Sequence, residues 1–292
     1  DRDPCIRREA CSEIGAGLAI EFVPDLVQAL NDADPSVKEA SLESLALIGG
    51  SVVAETVAPL LRSQEACLRN AAVEVLERLG PESIDTLAGV LKDDDDDVVK
   101  FGVDVLAKLR DERAFNLLFG LTEHKNPNVR ASVAVCLGRL QEPSACAYLL
   151  KALSDNEEWV RFSAVEGLGY LGSSAALPEL LKLIENDSVT ILREAAIDAL
   201  GKIAVGSDAA SVLLAIEEPI RNRQVFNVTA VTELLEKACS EPRGFRPSMP
   251  IRGTYMTFLS EALKNGDPCE QKAALKGLGL IGSQEAVSNI FE

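Results

Sequence analysis

One phrase recurs along this chain and constrains its fold more than any other feature. It reads Arg130-Ala-Ser-Val-Ala-Val-Cys-Leu-Gly-Arg-Leu140 in one place and Lys38-Glu-Ala-Ser-Leu-Glu-Ser-Leu-Ala-Leu-Ile48 in another. Arg161-Phe-Ser-Ala-Val-Glu-Gly-Leu-Gly-Tyr-Leu171 and Arg193-Glu-Ala-Ala-Ile-Asp-Ala-Leu-Gly-Lys-Ile203 restate it. Its first position falls at Arg7, Lys38, Arg69, Val99, Arg130, Arg161 and Arg193, about 31 residues apart, and after a divergent stretch at Gln271. Seven residues further stand Ile14, Leu45, Leu76, Leu106, Leu137, Leu168, Leu200 and Leu278. Self-similarity at this period marks a stacked-repeat architecture, in which one unit cannot bury its apolar face alone. Apolar residues at three- and four-residue offsets give one face of an amphipathic helix. Small residues such as Ala71-Ala72 and Ala195-Ala196 let a neighbouring helix come close.

Each unit begins with another apolar segment, as in Val23–Leu30, Ala147–Leu153 and Leu177–Ile184. Pro24 and Pro178 suit a first helical turn, where no amide donor is lost. A short polar loop follows, and its Asp or Asn caps the next helix. Gly49, Gly80, Gly172 and Gly282 stand where second helices end. The unit is therefore a helical hairpin. Acids recur four residues before the second helix start, at Asp3, Asp34, Glu65, Asp95, Glu157 and Asp267, with Asn126 in the same place. Together with the recurring base they form a stabilising polar ladder.

The signature Asp–x–x–Val–Arg–x–x–Ala–x–x–Ala–Leu–Gly–x–Ile/Leu, nearly whole at 126–140, 157–171 and 187–203, resembles the HEAT-repeat family. It is similar in particular to the short HEAT-like repeats of phycobilisome bilin lyases, and the resemblance covers almost the whole chain. It implies an all-α fold: an α-solenoid, a right-handed superhelix of about eight to nine stacked hairpins with second helices on the concave side. The organisation expected is a single solenoid over 1–292. Regular repeats fill 1–206, a divergent repeat with a loop insertion 207–253, and the last repeat with the start of a further one 254–292. An array that starts and ends mid-unit is the expectation for a fragment of a longer protein.

Lys and Arg total 29 against 46 Asp and Glu, a net charge of −17. Such a surface repels nucleic acid and anionic lipid. No apolar run approaches a membrane span. Seven cysteines with no C-x-x-C are read as reduced and mostly buried, in a cytoplasmic protein. The single histidine, His124, lies in a turn, read as exposed. The HEAT-type deoxyhypusine hydroxylases need several His-Glu pairs for iron, which this sequence lacks. No zinc spacing, nucleophile–base pair or phosphate-binding glycine loop is visible. No cofactor is implied, and the expectation is a non-enzyme.

Three places depart from the pattern. Asp93–Asp97 are five consecutive aspartates in an inter-helix loop. They read as a solvated acidic stretch, with a Ca²⁺ site through Asp93, Asp95 and Asp97 as the weaker alternative. The segment 239–253 reads as a long loop carrying Arg243, Phe245, Arg246, Met249 and Arg252 in an otherwise acidic chain, a second candidate contact. The third is a row one, five and nine residues past each helix start, charged in most units. It becomes Val135 with Arg139, and Phe162, Glu166 and Tyr170, with Trp159 at the start of that helix. Apolar groups on a face elsewhere polar suggest a partner contact. The main functional expectation is thus a protein-binding scaffold or adaptor. The resemblance allows a bilin-lyase-type subunit instead, which pairs with a second chain and acts on a chromophore-carrying protein. A third reading is a structural or regulatory repeat domain of a larger signalling protein.

Overall fold

The computed structural model describes residues 2–109, 111–240, 245 and 247–281. It is an all-α solenoid, with no strand among the described residues. It divides into two compact units, Asp1–Leu140 and Gln141–Glu292.

In the first unit, α1 (Pro4–Ala16), α3 (Pro35–Ile48), α5 (Ala66–Leu79), α7 (Asp96–Leu109) and α9 (Pro127–Arg139) pack in sequence as one layer. These are the helices of the recurring phrase. Against them lie α2 (Val23–Ala29), α4 (Gly50–Val57), α6 (Ile84–Val90) and α8 (Glu112–Phe119), again in sequence. The shared core is set by the repeat leucines. Leu45, Leu76, Leu106 and Leu137 are fully buried, each worth ~1.5–3 kcal/mol. Close approach is built in by small residues. A Cβ on Gly15 would fall 2.8 Å from the Ser44 Cα, so only glycine lets α1 lie this near α3. The Ser44 hydroxyl then donates to the Cys11 carbonyl at 2.8 Å.

The polar ladder has a specific geometry. Before α1, α3, α7 and α9 the acid or Asn accepts an amide from the first turn: Asp3 from Cys5, Asp34 from Ser36, Asp95 from Asp97, Asn126 from Asn128, whereas Glu65 before α5 does not cap. The recurring arginine takes the loop backbone as a partner. It reaches back to a loop carbonyl six residues upstream, Arg69 to Ser63 at 2.7 Å and Arg130 to His124 at 2.8 Å. The loop is thus pinned by a charge-assisted donor, a stronger bond than a neutral one.

Arg7 instead grips Asp32 of the next loop at 2.7 and 2.8 Å. Those hydrogen bonds hold the Asp32 carboxyl at about 2, below the ordinary 3.8. Its contribution to stability is therefore complete above about pH 4 and is lost as pH falls through 2. Asp32→Asn is expected to flatten this acid limb in urea unfolding midpoints followed down the pH scale. An unaltered limb would assign acid sensitivity elsewhere.

In the second unit one layer is α11 (Glu158–Leu171), α13 (Thr190–Ile203), α15 (Val228–Cys239) and α17 (Pro268–Ile281). The other runs α10 (Ala145–Ala152), α12 (Leu177–Asn186), α14 (Gly206–Arg221) and α16 (Met249–Asn265). The stretch read as divergent holds α14 and α15, which pack as a hairpin and continue both layers. Its register is kept by other chemistry than the repeat phrase. Gly201 abuts Ala230, and the Lys237 ammonium donates to the Gly201 carbonyl. The segment expected as loop to Gly253 turns helical already at Met249, because Pro250 sits in the first turn, where its missing amide costs nothing. Gly282 lies outside the described residues.

The cysteines correct one expectation. All seven are free, yet only Cys11 and Cys136 are buried. Cys5, Cys67 and Cys269 each occupy the second residue of a helix, at the exposed edge beside the loop. His124 is likewise only half-exposed. Its Nδ1 accepts the Asn126 amide at 3.1 Å, folding the ring into the turn.

Candidate functional site

The row on α11 follows from its four-residue spacing, which sets Phe162, Glu166 and Tyr170 on one helix face. All three are half-buried, and Trp159 at the helix start is 48% exposed. The Tyr170 hydroxyl donates to Glu166 at 3.0 Å, and the Lys202 ammonium from α13 lies 5.6 Å from the Tyr170 ring centre. Lys202 is itself held by Asp198, which raises its pKa. The result is a preorganised surface of aromatic rings flanked by fixed charges. Val135 is half-buried and Arg139 exposed on α9, in the first unit.

One residue of this surface was not singled out by pattern. Ile191 is 63% exposed at the start of α13, the repeat equivalent of Trp159 on the packed neighbour α11. Comparing the residue two before each phrase start would have found it.

Of the second candidate contact, Arg243 and Arg246 lie outside the described residues. Phe245 packs edge-on against Tyr255, centroids 6.4 Å apart, and its amide donates to Ala238. Met249 stands 80% exposed at the start of α16, and Arg252 is half-buried one turn further on. The aspartate run diverges rather than converging. Asp93 meets Arg62 at 2.6 Å, Asp95 caps α7, and Asp96 accepts from Asn126 at 3.0 Å. Among the described residues no three His, Cys, Asp or Glu side chains gather as a metal-binding group. Burial pushes the Cys136 thiol up to about 12, far from a reactive thiolate.

A cavity of about 540 Å³ opens elsewhere in the second unit, between the α14–α15 turn and α16. Ile220, Val225 and Val228 form its buried floor, Phe226 and Phe258 its sides, and Arg221 and Arg223 its rim. No described helix is long and apolar enough to cross a membrane.

Two layers of helices repeated in register define a helical-hairpin repeat protein. The profile of HEAT repeats matches residues 1–77, 23–103, 101–167 and 147–223, so the chain belongs to the HEAT-repeat family. Phycocyanobilin lyase subunit alpha of Picosynechococcus sp. is 25% identical over 193 residues, 60% of this chain and 66% of that protein. Deoxyhypusine hydroxylase of Coccidioides immitis is 38% identical over 73 residues, 24% of this chain and 22% of that protein. The chain therefore spans under two thirds of the length of these relatives. A chain of the solved Kap95p–RanGDP structure shares the fold alone, at 13% identity and a TM-score of 0.59, over 97% of this chain and 44% of that one. The expectation of a non-enzyme is corrected here. The curated relatives are an enzyme and an enzyme subunit, and the solenoid pattern carries no mark that separates them from adaptors.

Proposed function

We propose that the chain is a lyase subunit of the bilin-lyase type, which holds a chromophore-carrying protein against its repeat surface and works with a second chain. The observation that carries this reading is the breadth of the match to phycocyanobilin lyase subunit alpha. It runs through 60% of the chain, against 24% for the hydroxylase. A short match in a repeat protein reflects one or two hairpins, whereas a match over 193 residues follows the order of successive units. The α11 face suits the protein contact. Trp159, Phe162 and Tyr170 offer aromatic anchors of the kind that dominate interfaces, and Glu166 offers charge for steering. Val135 and Arg139 on α9 are a candidate contact of the first unit.

The test is spectroscopic. Phycocyanobilin is titrated with the chain alone, then with the chain, a second lyase subunit and an acceptor apoprotein. A shifted and sharpened visible band in the full mixture, with chromophore left on the acceptor after denaturation, is the expected result. An unaltered spectrum in both arms would remove the lyase reading.

A further inference from the structure

We infer that one edge of the second unit docks a basic amphipathic helix of a partner protein. Trp159 and Ile191 each hold the second place in a helix, α11 and α13, and are 48% and 63% exposed. In the first unit that place belongs to Cys5, Ser36, Cys67, Asp97 and Asn128, so the fold itself needs no large apolar group there. Phe226, 54% exposed, lies two residues before α15. The three stand on adjoining turns. Arg161 of α11 lies 3.8 Å from Asp187 in the loop before α13, and the Phe226 amide donates to Glu194 in α13 at 2.8 Å. The row ends at the cavity beside Phe226, whose floor is Ile220, Val225 and Val228. Two aromatic anchors, an aliphatic one between them and a pocket at one end make a surface of the kind that partners bury.

Charge and spacing select the occupant. Glu158, next to Trp159, and Glu185, at the end of α12, are exposed and in no ion pair among the described residues. Arg161 and Arg193 are instead committed to the carbonyls of Asp155 and Asp187, at 2.9 and 2.8 Å. At the cavity Arg221 and Arg223 are matched by Glu261 and Glu270, so the open charge of the edge is negative and suits a cationic partner. A second copy of the chain, at −17, brings the wrong sign. Helices packed side by side lie ~8–10 Å apart, so the anchors recur at about that step. Residues seven apart on an α-helix share a face at ~10.5 Å, close to the same step. Residues on one face of an extended strand fall ~7 or ~13 Å apart and miss it. The cavity floor has room for a bulky Leu or Phe side chain, which a proline-rich segment of ~9 Å repeat does not bring.

Trp159 is the chain's one tryptophan, so its emission reports on the edge directly. The probe is a tryptophan-free peptide of about 21 residues, three heptads of Lys and Ala with Leu at every seventh place. Comparison peptides scramble it, replace Lys by Glu, or space the leucines with proline. The wild type is expected to bind the heptad peptide at least tenfold tighter than any comparison, with Trp159 emission moved to shorter wavelength. Ile191→Lys sets an ammonium between the aromatic anchors and is expected to weaken binding at least tenfold. Glu158→Gln with Glu185→Gln removes the open charge and is expected to weaken it about threefold or more at low salt. All three positions are exposed, so the unfolding midpoint should stay unchanged. No emission shift, equal binding of a comparison peptide, or equal binding by either variant would overturn the inference. The edge shares Trp159 with the α11 contact but does not rest on the lyase reading. Peptide binding without chromophore transfer keeps the docking edge and removes the lyase reading, and transfer without peptide binding does the reverse.

Discussion

Tyr255→Ala is expected to lower the stability of the second unit by about 3–5 kcal/mol. Among the described residues Tyr255 is the largest fully buried side chain, at 0% exposure. Its ring carries α16 against α14, and its hydroxyl donates to the Leu213 carbonyl at 2.5 Å. Phe245 closes the opposite edge at an interplanar angle of 86°. Truncation therefore leaves a ring-sized void and takes from that carbonyl its side-chain donor. Tyr255→Phe keeps the ring and removes only the hydroxyl; Leu213 lies inside α14, where its carbonyl keeps a helical amide, so the expected cost is about 0.5–1.5 kcal/mol, that of one hydrogen bond. The ratio of the two losses in urea unfolding separates packing from hydrogen bonding. Equal losses would mean that the hydroxyl, not the ring, holds α16 in place. Burial also raises the phenol pKa, so Tyr255 stays protonated where an exposed tyrosine ionises.

The same residue shows why part of the fold was legible and part was not. Leu45, Leu76, Leu106, Leu137, Leu168 and Leu200 sit at one repeat position, and all are fully buried. The inner helices of the phrase meet the same kind of neighbours, so one rule decides these copies, while Ile14 on the end helix α1 is only half-buried. Tyr255 has no counterpart in the phrase. The hairpin of α14 and α15 keeps its place through Ala230, Lys237 and Val225 instead. A pattern built on one leucine ladder is blind to a unit that reaches the same packing with other side chains. Half-burial was the other obstacle. His124 and Phe245 look like loop residues in sequence, yet one accepts a backbone amide and the other covers a buried ring. The cavity was hidden for a related reason. Arg221, Arg223 and Phe226 share one short stretch, but the wall with Phe258 comes from α16, and only the packing of α16 on α14 closes the cavity.

The α11 face gives the second large effect. Phe162→Asp with Tyr170→Asp is expected to weaken capture of the partner protein by at least about thirtyfold, roughly 2 kcal/mol, the scale of aromatic anchors at an interface. Each change places a carboxylate where a ring stood, in a protein already at −17, so any acidic partner is also repelled. Both rings are half-buried, and the helix beneath them is held by Val160, Ala164, Val165 and Leu168, all buried. Far-UV circular dichroism should therefore be unaltered. Tyr170 also has a role within the chain, since Glu166 and Lys202 both engage it. Tyr170→Phe isolates that role: it removes the bond to Glu166 and keeps the ring under the Lys202 ammonium. If the face is an interface, Tyr170→Phe leaves capture within about threefold, because the ring supplies the contact, while the double aspartate abolishes it. Cross-linked capture from the native host's lysate, with wild type, Tyr170→Phe and the double variant side by side, reads this directly. Capture unaffected by the double variant would move the partner off α11. The next surface to test is then Val135 and Arg139 on α9, by the same charge-reversing logic.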